Sequence, residues 1–283
     1  MATYRQPFDS SALALPGRLM CWLAMPLLAA AVVGAPTARA EEAAPTTLTS
    51  FATAQGTQPP AAWHFATLPG KTPTHFEVTQ LDGHKVLKVE ANDSYGNLVH
   101  RVQVPLDASA SLSWRWRVDK FIDGADLHVR SGDDGAAKLC VFFNLATDRL
   151  PVSEQLRLAA ARKLSGEDVP SETLCYVWDA KAPVGETVVN AFTRRIRMMV
   201  LRSGPSSSPG GWAMEQRNLL ADYRRAFGDE AAGATPDIIA IAVSADADNT
   251  HGSGLSYFTD LSLSAPTGLR AQNAAPKEKG TAE

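Results

Sequence analysis

Two pairs of aspartates stand where carboxylates could bind a cation or move a proton. Asp133 and Asp134 are adjacent in the stretch SGDDG, and Asp246 and Asp248 alternate in ADADNT near the end of the chain. Calcium prefers several oxygen ligands, so all four carboxylates are candidate metal ligands. The alternatives are that the first pair only ends a turn, where aspartate is favoured, or that one carboxylate takes part in catalysis.

The later pair opens like the calcium loop of a helix–loop–helix site, but the remaining positions do not fit. The sixth position of that loop requires glycine and the twelfth requires glutamate, whereas this chain has His251 and Tyr257 there. A calcium site of another geometry stays open. If the strand that begins at Ile238 continues, Asp246 and Asp248 both face away from the core, because strand side chains alternate.

Arginines also occur at alternate positions in two of the predicted strands. SWRWRV puts Arg115 and Arg117 on one face of a strand, and RRIRMMVL does the same for Arg195 and Arg197. Guanidinium groups bind carboxylates bidentately, so a shared sheet face could form a groove for an anionic or hydroxyl-rich ligand. The alternative is ion pairing across a solvated face, where each pair contributes about 0.2–1 kcal/mol.

Tryptophans divide into two groups. Trp114 and Trp116 share a strand face with Leu112 and are expected in the core. Trp63 and Trp212 lie in loop-like contexts, and we expect them to be the better candidates for platforms that stack on sugar rings.

Most motifs that would identify an enzyme are missing. The chain has no G-x-S-x-G, H-E-x-x-H or C-x-x-C, and no phosphate-cradling or dinucleotide-binding glycine pattern. Paired carboxylates could still act on a glycosidic bond. The candidates for that chemistry are Asp133, Asp134, Glu215, Asp246 and Asp248.

Alternating apolar and polar residues predict the elements that must hold these side chains. HFEVTQLDGHKVLKVEA is two alternating runs joined at Asp82-Gly83, a strong hairpin signal. Further strands are predicted at LVHRVQVPL, LSWRWRV, KLCVFFNL, TLCYVWDA, RRIRMMVLRS, DIIAIAVSA and LSYFTDLSLS. Roughly nine or ten short strands predict an all-β, antiparallel two-sheet sandwich of jelly-roll type.

Two short helices are predicted between the strands. Leu156 and Leu164 have helical spacing in the stretch that follows Pro151. NLLADYRRAFG has Asn218 as a candidate N-cap and Gly228 as a stop. Either helix could close an open end of the sandwich.

The chain begins with the pattern of a secretory signal peptide. Arg5 and Arg18 precede the apolar run 19–35, and Ala38-Arg39-Ala40 offers a small-residue cleavage site. We therefore expect cleavage after Ala40, no membrane span afterwards, and a periplasmic or secreted location. The predicted organisation is a signal peptide at 1–40, a flexible lead-in at 41–62, one β-sandwich domain at 63–264 and a disordered tail at 265–283.

Charge and cysteine content limit the partners. The whole chain has 27 basic and 30 acidic residues, and segment 1–40 removes three of the former and one of the latter. An acidic mature chain argues against general nucleic-acid binding. Cys140 and Cys175 remain after cleavage and can form one disulfide in an exported protein. The alternative is two buried free thiols.

Taken together, several stretches resemble a bacterial family called domain of unknown function 3047. The resemblance runs from Trp63 to Leu263 and rests on LSWRWRVDKF, GDDGAAKLCVFF, CYVWDAKAPVGE, GGWAMEQRNLLADYRRAFG and IAIAVSADADNT. The residues that match its motifs are Trp114, Trp116, Asp133, Asp134, Tyr176, Trp178, Trp212, Glu215, Arg217, Asn218, Asp246, Asp248, Asn249 and Thr250. Cys140, Cys175 and the helical insertion around 152–165 depart from the pattern of the family.

The resemblance implies an exported bacterial sandwich without a known activity, and one recurring constellation of polar residues outside the core. We expect that constellation to comprise Arg115, Arg117, Asp133, Asp134, Trp212, Glu215, Arg217, Asp246, Asp248 and Asn249. The leading hypothesis is a non-enzymatic protein that binds a small molecule or glycan, with calcium as the candidate cofactor. The alternatives are a glycan-active hydrolase or lyase and a structural envelope protein.

Overall fold

A computed structural model describes residues 47–146, 148, 150–165, 169–208, 211–228 and 235–265. The predicted signal peptide, the first part of the lead-in and all but the first residue of the predicted tail lie outside the described residues. No helix in the described ranges is long and apolar enough to cross a membrane.

The described residues form twelve strands and two α-helices. The strands are β1 (Trp63–Ala66), β2 (His75–Leu81), β3 (His84–Asn92), β4 (Tyr95–Pro105), β5 (Ser111–Lys120), β6 (Gly135–Asn144), β7 (Glu172–Asp179), β8 (Thr187–Val189), β9 (Ile196–Ser203), β10 (Ala213–Asn218), β11 (Asp237–Asp246) and β12 (Ser253–Ser264). The helices are α1 (Val152–Ser165) and α2 (Leu219–Phe227).

The strands form two sheets. The seven-stranded sheet has the order β1-β4-β11-β6-β7-β9-β8, and the five-stranded sheet has the order β10-β5-β12-β3-β2. Neighbouring strands are antiparallel except for the parallel pair β7 and β9. The predicted all-β, antiparallel, jelly-roll-like sandwich with two short helices is therefore confirmed.

Aromatic side chains connect the two sheets across the core. Trp114 and Trp116 point inward from β5 and are almost fully buried. The Trp114 ring centroid lies 5.2 Å from that of Tyr176, and the Trp116 centroid lies 5.6 Å from that of Trp178. Such tilted contacts add to the large apolar area that each ring buries. Alternation along β5 consequently leaves Arg115 and Arg117 on the outward face.

Trp63 also belongs to the core, so the prediction that it is a sugar platform is wrong. It lies in β1, 5% exposed, with its ring centroid 4.8 Å from that of Phe51, and its Nε1 donates to the Thr49 carbonyl. The core extends here to Phe51, which lies in the stretch whose polar composition predicted a flexible lead-in.

Both helices occur where the sequence predicts them, and α2 contributes to the core. Asn218 caps α2, since its Oδ1 accepts from the Ala221 backbone N–H at 2.8 Å. Tyr223 and Phe227 then reach the core between the sheets. In contrast, Leu156 of α1 is 68% exposed.

The outer face of the seven-stranded sheet is apolar and covered by loops. Residues from β6, β7, β9 and β11 pack there against Leu127 and Ala182 of the loops and against Val188 of the edge strand β8. Cys140 and Cys175, which face each other on β6 and β7, form a disulfide within this layer.

The prediction that Arg195 and Arg197 share a solvated face with Arg115 and Arg117 is wrong. Their segment belongs to the other sheet, and Arg197 is buried, with its Nε donating to the Ala226 carbonyl and its Cζ 5.0 Å from the Phe227 ring centroid. The alternation of residues in the sequence correctly separates the two faces of β9. It does not show that either face is solvated, and in the structure both faces of this sheet are covered.

Candidate functional site

The ten predicted site residues separate into three places. Asp133, Asp134, Asp246 and Asp248 come together at one end of the seven-stranded sheet, with Asn249 beside them; we call the four acids the aspartate cluster. Arg115, Arg117 and Trp212 lie on the outward face of the five-stranded sheet. Glu215 and Arg217 lie on β10 and face the edge of the core.

Strand pairing brings the aspartate cluster together. β11 and β6 are antiparallel neighbours, so the end of one strand lies beside the start of the other, and Asp246 pairs in register with Gly135. The turn at 133–134 precedes β6 and therefore meets the segment 246–250. Carboxylate oxygens of Asp134, Asp246 and Asp248 lie within 4.8 Å of one another.

Asp134 fixes the loop that follows β11. It is fully buried and accepts four hydrogen bonds, two from Asn249 and two from Thr250. The shortest are from the Thr250 hydroxyl at 2.6 Å and the Thr250 backbone N–H at 2.7 Å. Asn249 also donates to the Asp133 carbonyl. Asp134 and Asn249 therefore have a structural role, since they join the two loops of the cluster.

Asp246 forms a buried ion pair that the sequence analysis missed. Lys138 Nζ lies 2.6 Å from each carboxylate oxygen, and the Gly135 backbone N–H donates to Oδ1. Burial raises the pKa of Asp246 to about 6, against the opposing effect of the Lys138 charge. Burial alone would lower the pKa of Lys138, but the nearby carboxylates of Asp246 and Asp133 together raise that pKa.

The other two acids of the cluster are only partly satisfied. Asp133 Oδ2 accepts from the Asn190 amide, and Asp248 Oδ2 lies 2.5 Å from Lys71 Nζ. Asp133 Oδ1 and Asp248 Oδ1 are buried and have no hydrogen-bond partner among the described residues. Burial also raises the pKa of Asp133.

The partners of Asp246 and Asp248 differ from part of the expectation. In the constellation expected from the sequence, Arg115, Arg117, Arg217 and the Asp133-Asp134 turn are the candidate partners of these two acids. The turn is correct, but the cations are Lys71 and Lys138 rather than arginines. Lys138 starts the predicted strand KLCVFFNL on the same face as Cys140, which is the one sequence signal that could have indicated it.

A recess opens on the outward face of the five-stranded sheet. Trp212, which directly precedes β10, lies over that face, and Arg115 Cζ lies 5.3 Å from its ring centroid. The Trp212 indole reaches across to the β2–β3 hairpin, where its Nε1 donates to Asp82 Oδ2 at 3.0 Å. The recess has a volume of about 230 Å³ and is lined by Leu81, Asp82, His84, Val86, Arg115, Trp212, Thr259 and Asp260.

Turn geometry positions two acids at the recess. Asp82 and Gly83 both have positive φ, 52° and 80°, as the predicted two-residue hairpin requires. Asp260 has a φ of 56° beside an irregularity in β12, and its Oδ2 lies 3.6 Å from Arg115. Positive φ is uncommon outside glycine, so this bulge holds Asp260 in an orientation that a regular strand would not give.

Arg117 extends the polar surface beyond the recess. It pairs with Asp119 at 2.5 Å, lies 3.8 Å from Asp82, and has its Cζ 5.9 Å from the Tyr257 ring centroid. The Asp119 carboxylate raises the pKa of Arg117. Each arginine of this face thus has an acidic neighbour, and the surface offers both hydrogen-bond donors and acceptors.

The inward direction of Glu215 and Arg217 contradicts the prediction that they join the other site residues. Glu215 accepts from Trp116 Nε1 at 3.3 Å and from Arg202 Nε at 2.6 Å. Arg217 pairs with Asp222 at 2.6 Å. These contacts hold β10 and α2 against the core, because Asp222 also accepts from the buried Tyr176 hydroxyl.

The chain is similar to several solved structures at low identity. The xyloglucanase domain of NopAA, a type three effector from Sinorhizobium fredii solved with cellobiose, has a TM-score of 0.40 and 7% identity, over 75% of this chain and 96% of that one. A family 11 carbohydrate-binding module of Clostridium thermocellum has a TM-score of 0.38 and 9% identity, over 81% of this chain and 98% of that one.

Sequence comparison gives a family but no activity. No curated protein matches the chain significantly. A family model described as protein of unknown function DUF3047 matches residues 61–262, well over half of the chain and nearly all of the described sandwich. The motifs that carried the resemblance, from the inward tryptophans of β5 to the aspartates after β11, all lie within that match, and the chain belongs to the DUF3047 family.

Proposed function

We propose that this chain is a non-catalytic, exported β-sandwich that binds a carbohydrate in the recess around Trp212. The observation that carries the proposal is a half-buried indole beside a guanidinium group on an outward sheet face, with two carboxylates at the same recess. Export rests on the signal peptide expected at 1–40, and a periplasmic or secreted location is part of the proposal.

The lining of the recess fits the chemistry of a sugar. An indole offers an apolar surface to the C–H face of a pyranose ring. Arg115 donates hydrogen bonds, Asp82 and Asp260 accept them, and Thr259 can do both, which matches the mixed character of hydroxyl groups. The volume of about 230 Å³ is below the ~300–1,000 Å³ of pockets for drug-sized ligands. One sugar unit would thus enter the recess, and further units would lie along the sheet near Tyr257.

The charge of the recess favours a neutral glycan over an anionic one. Asp260 and Asp82 stand beside Arg115 and Arg117, so the guanidinium charges are largely compensated. An anionic ligand would have to displace these carboxylates. We therefore expect hydroxyl-rich, uncharged oligosaccharides to bind better than uronates.

No described contact favours the glycan-active alternative. Of its five candidate acids, Asp134 and Asp246 are engaged by hydrogen bonds or an ion pair within the aspartate cluster. Glu215 is bound to Trp116 and Arg202 at the edge of the core. Asp133 and Asp248 retain buried oxygens, but these lie in the cluster and not at the recess.

The test is a glycan array that covers neutral and anionic structures, followed by calorimetry with the best neutral oligosaccharide. We expect Trp212→Ala to weaken binding roughly tenfold or more, since a central aromatic contact usually dominates an interface. Arg115→Gln is a second variant that keeps the indole.

Phe192→Ala is the matched control. Phe192 is another exposed aromatic ring beneath an arginine, with Arg130 Cζ 5.3 Å from its centroid, but it lies outside the recess. Its loss should leave binding unchanged. Absence of binding across the array, or equal losses in the Phe192 and Trp212 variants, would rule the proposal out and favour a structural envelope protein.

A further inference from the structure

The aspartate cluster carries more negative charge than its own lysines can balance. Four carboxylates meet there, and two ammonium groups, Lys71 and Lys138, contact them. Lys138 is buried and bound to both oxygens of Asp246, so its charge is committed to that one acid. Asp134 is held by neutral donors from Asn249 and Thr250. A surplus of about two negative charges remains in a largely buried space.

Two carboxylate oxygens in this space lack any partner. Asp248 has a side chain only 8% exposed, and Asp133 is 6% exposed, yet Oδ1 of each residue has no hydrogen bond among the described residues. A buried charged oxygen without a partner is unfavourable, because it has lost its hydration and gained no hydrogen bond in return. A bound cation would satisfy such oxygens and remove the surplus charge at the same time.

The spacing of the carboxylates suits a single ion. Oxygens of Asp134, Asp246 and Asp248 lie within 4.8 Å of one another. Two oxygens that bind one calcium ion at 2.3–2.6 Å can be at most about 5 Å apart. All three residues can therefore contact one ion with little movement of the backbone, which the contacts of Asp134 hold in place.

We propose that the aspartate cluster is a calcium site, with Asp134, Asp246 and Asp248 as ligands. All of these donors are oxygens, and no cysteine or histidine belongs to the group, which excludes the preferred ligands of zinc. Calcium accepts irregular shells of six to eight oxygens, whereas magnesium requires near-octahedral geometry. Asp246 lies at the end of a strand, and Asp134 and Asp248 lie in two loops. Such an irregular set of ligands suits calcium better than magnesium.

Lys71 regulates access to this site. Its side chain is 41% exposed and its Nζ lies 2.5 Å from Asp248 Oδ2, so it covers the cluster from the solvent side. An incoming ion competes with this ammonium group for Asp248. Removal of the Lys71 charge should therefore tighten calcium binding.

The first experiment is calorimetric titration of calcium chloride into the full chain after treatment with a chelator and dialysis. We expect one ion per chain, with a dissociation constant no weaker than the 10⁻⁴–10⁻³ M range typical, to order of magnitude, of extracellular modules. The melting temperature should be higher with calcium than with chelator, since the ion binds the folded state. Asp248→Asn should weaken binding about tenfold or more, while Lys71→Met should strengthen it roughly two- to fivefold.

Glu90→Gln is the matched control. His75, Glu77 and Glu90 form another group of close side chains of metal-ligand type on the five-stranded sheet, with His75 exposed and the two glutamates partly buried. If calcium binds in the aspartate cluster, this variant behaves like the wild type. No calcium binding by the wild-type chain, or a loss in Glu90→Gln with none in Asp248→Asn, overturns the proposal.

Terbium gives a second readout that does not depend on the folding of the Asp248 variant. Terbium replaces calcium at oxygen sites and emits when a nearby aromatic ring transfers energy to it. Tyr95 pairs in register with Asp246, whereas Tyr257 lies on the five-stranded sheet. Tyr95→Phe should therefore reduce the sensitised emission more than Tyr257→Phe does. An equal effect of the two variants contradicts the placement of the ion.

Discussion

His128 connects two of the loops that cover the outer face of the seven-stranded sheet. Its Nδ1 lies 2.9 Å from Asp126 Oδ1, and its Nε2 lies 3.0 Å from Glu186 Oε1. A neutral imidazole can donate from only one nitrogen, whereas the protonated ring donates from both. The Glu186 and Asp126 carboxylates accordingly raise the pKa of His128.

This contact predicts a dependence of stability on pH. Because the pKa is higher in the folded chain than the ordinary value of 6.5, the stabilisation is complete below that pH and is lost as the pH rises through the folded pKa. We expect the melting temperature of the wild type to fall over that window more than that of His128→Gln. The measurement is thermal melting at a series of pH values.

His84→Gln is the control for this prediction, since His84 is exposed and lies on the other sheet. It should follow the wild-type profile. Parallel profiles for the wild type and the His128 variant would show that the contacts of His128 with Asp126 and Glu186 add nothing measurable to stability.

At single residues, the sequence indicated the acids better than their partners. The spacing of Asp246 and Asp248 correctly placed both away from the core. Alternation along one strand gives no information about side chains from distant segments, so the sequence could not show that Lys71 pairs with Asp248. Glu215 was misplaced for a related reason, because its strand was not predicted and its direction was unknown.

Among the elements, the two helices differ in what they contribute. α2 places Tyr223 and Phe227 in the core, and their ring centroids lie 5.1 Å apart. α1 leaves Val152 and Leu156 mostly exposed. Helical spacing is the same in both sequences, so periodicity predicted the helices but not which of them the core needs.

A pair of substitutions tests this difference. Phe227→Ala should lower the free energy of unfolding by about 3–5 kcal/mol, because it removes a large buried ring and leaves a cavity. Leu156→Ala should change it by no more than about 0.5 kcal/mol. Denaturation with urea measures both. Similar losses in the two variants would mean that α1 packs more tightly than its exposure indicates.

The strands were predicted well where pairing and burial both favour them. The hairpin at Asp82-Gly83 and the long strands of both sheets follow directly from alternation. β1, β8 and β10 were missed, since β1 and β8 are very short and AMEQRN in β10 has little alternation of apolar and polar residues. β10 becomes a strand because β5 offers it six paired positions.

For the whole molecule, the disulfide constrains how far the chain can expand when it unfolds. It joins Cys140 and Cys175 across neighbouring strands, at a sequence separation of 35 residues. The closed segment contains α1 and the loops around it. A crosslink of this length restricts the unfolded chain and so favours the folded state.

Replacing both cysteines by alanine should lower the free energy of unfolding by about 2–4 kcal/mol. The measurement is urea denaturation of the double variant beside the wild type with and without a reducing agent. The reduced wild type should resemble the variant. If reduction leaves the unfolding midpoint unchanged, the crosslink has no stabilising role.

The edges of the two sheets differ in a way that bears on self-association. β1 and β8, at the edges of the seven-stranded sheet, have four and three residues, whereas β2 and β10 have seven and six. Unpaired backbone groups on an edge strand are a template on which another chain can add a strand. The edge strands of the seven-stranded sheet are therefore shorter, and we expect aggregation by strand addition to begin more readily at the five-stranded sheet.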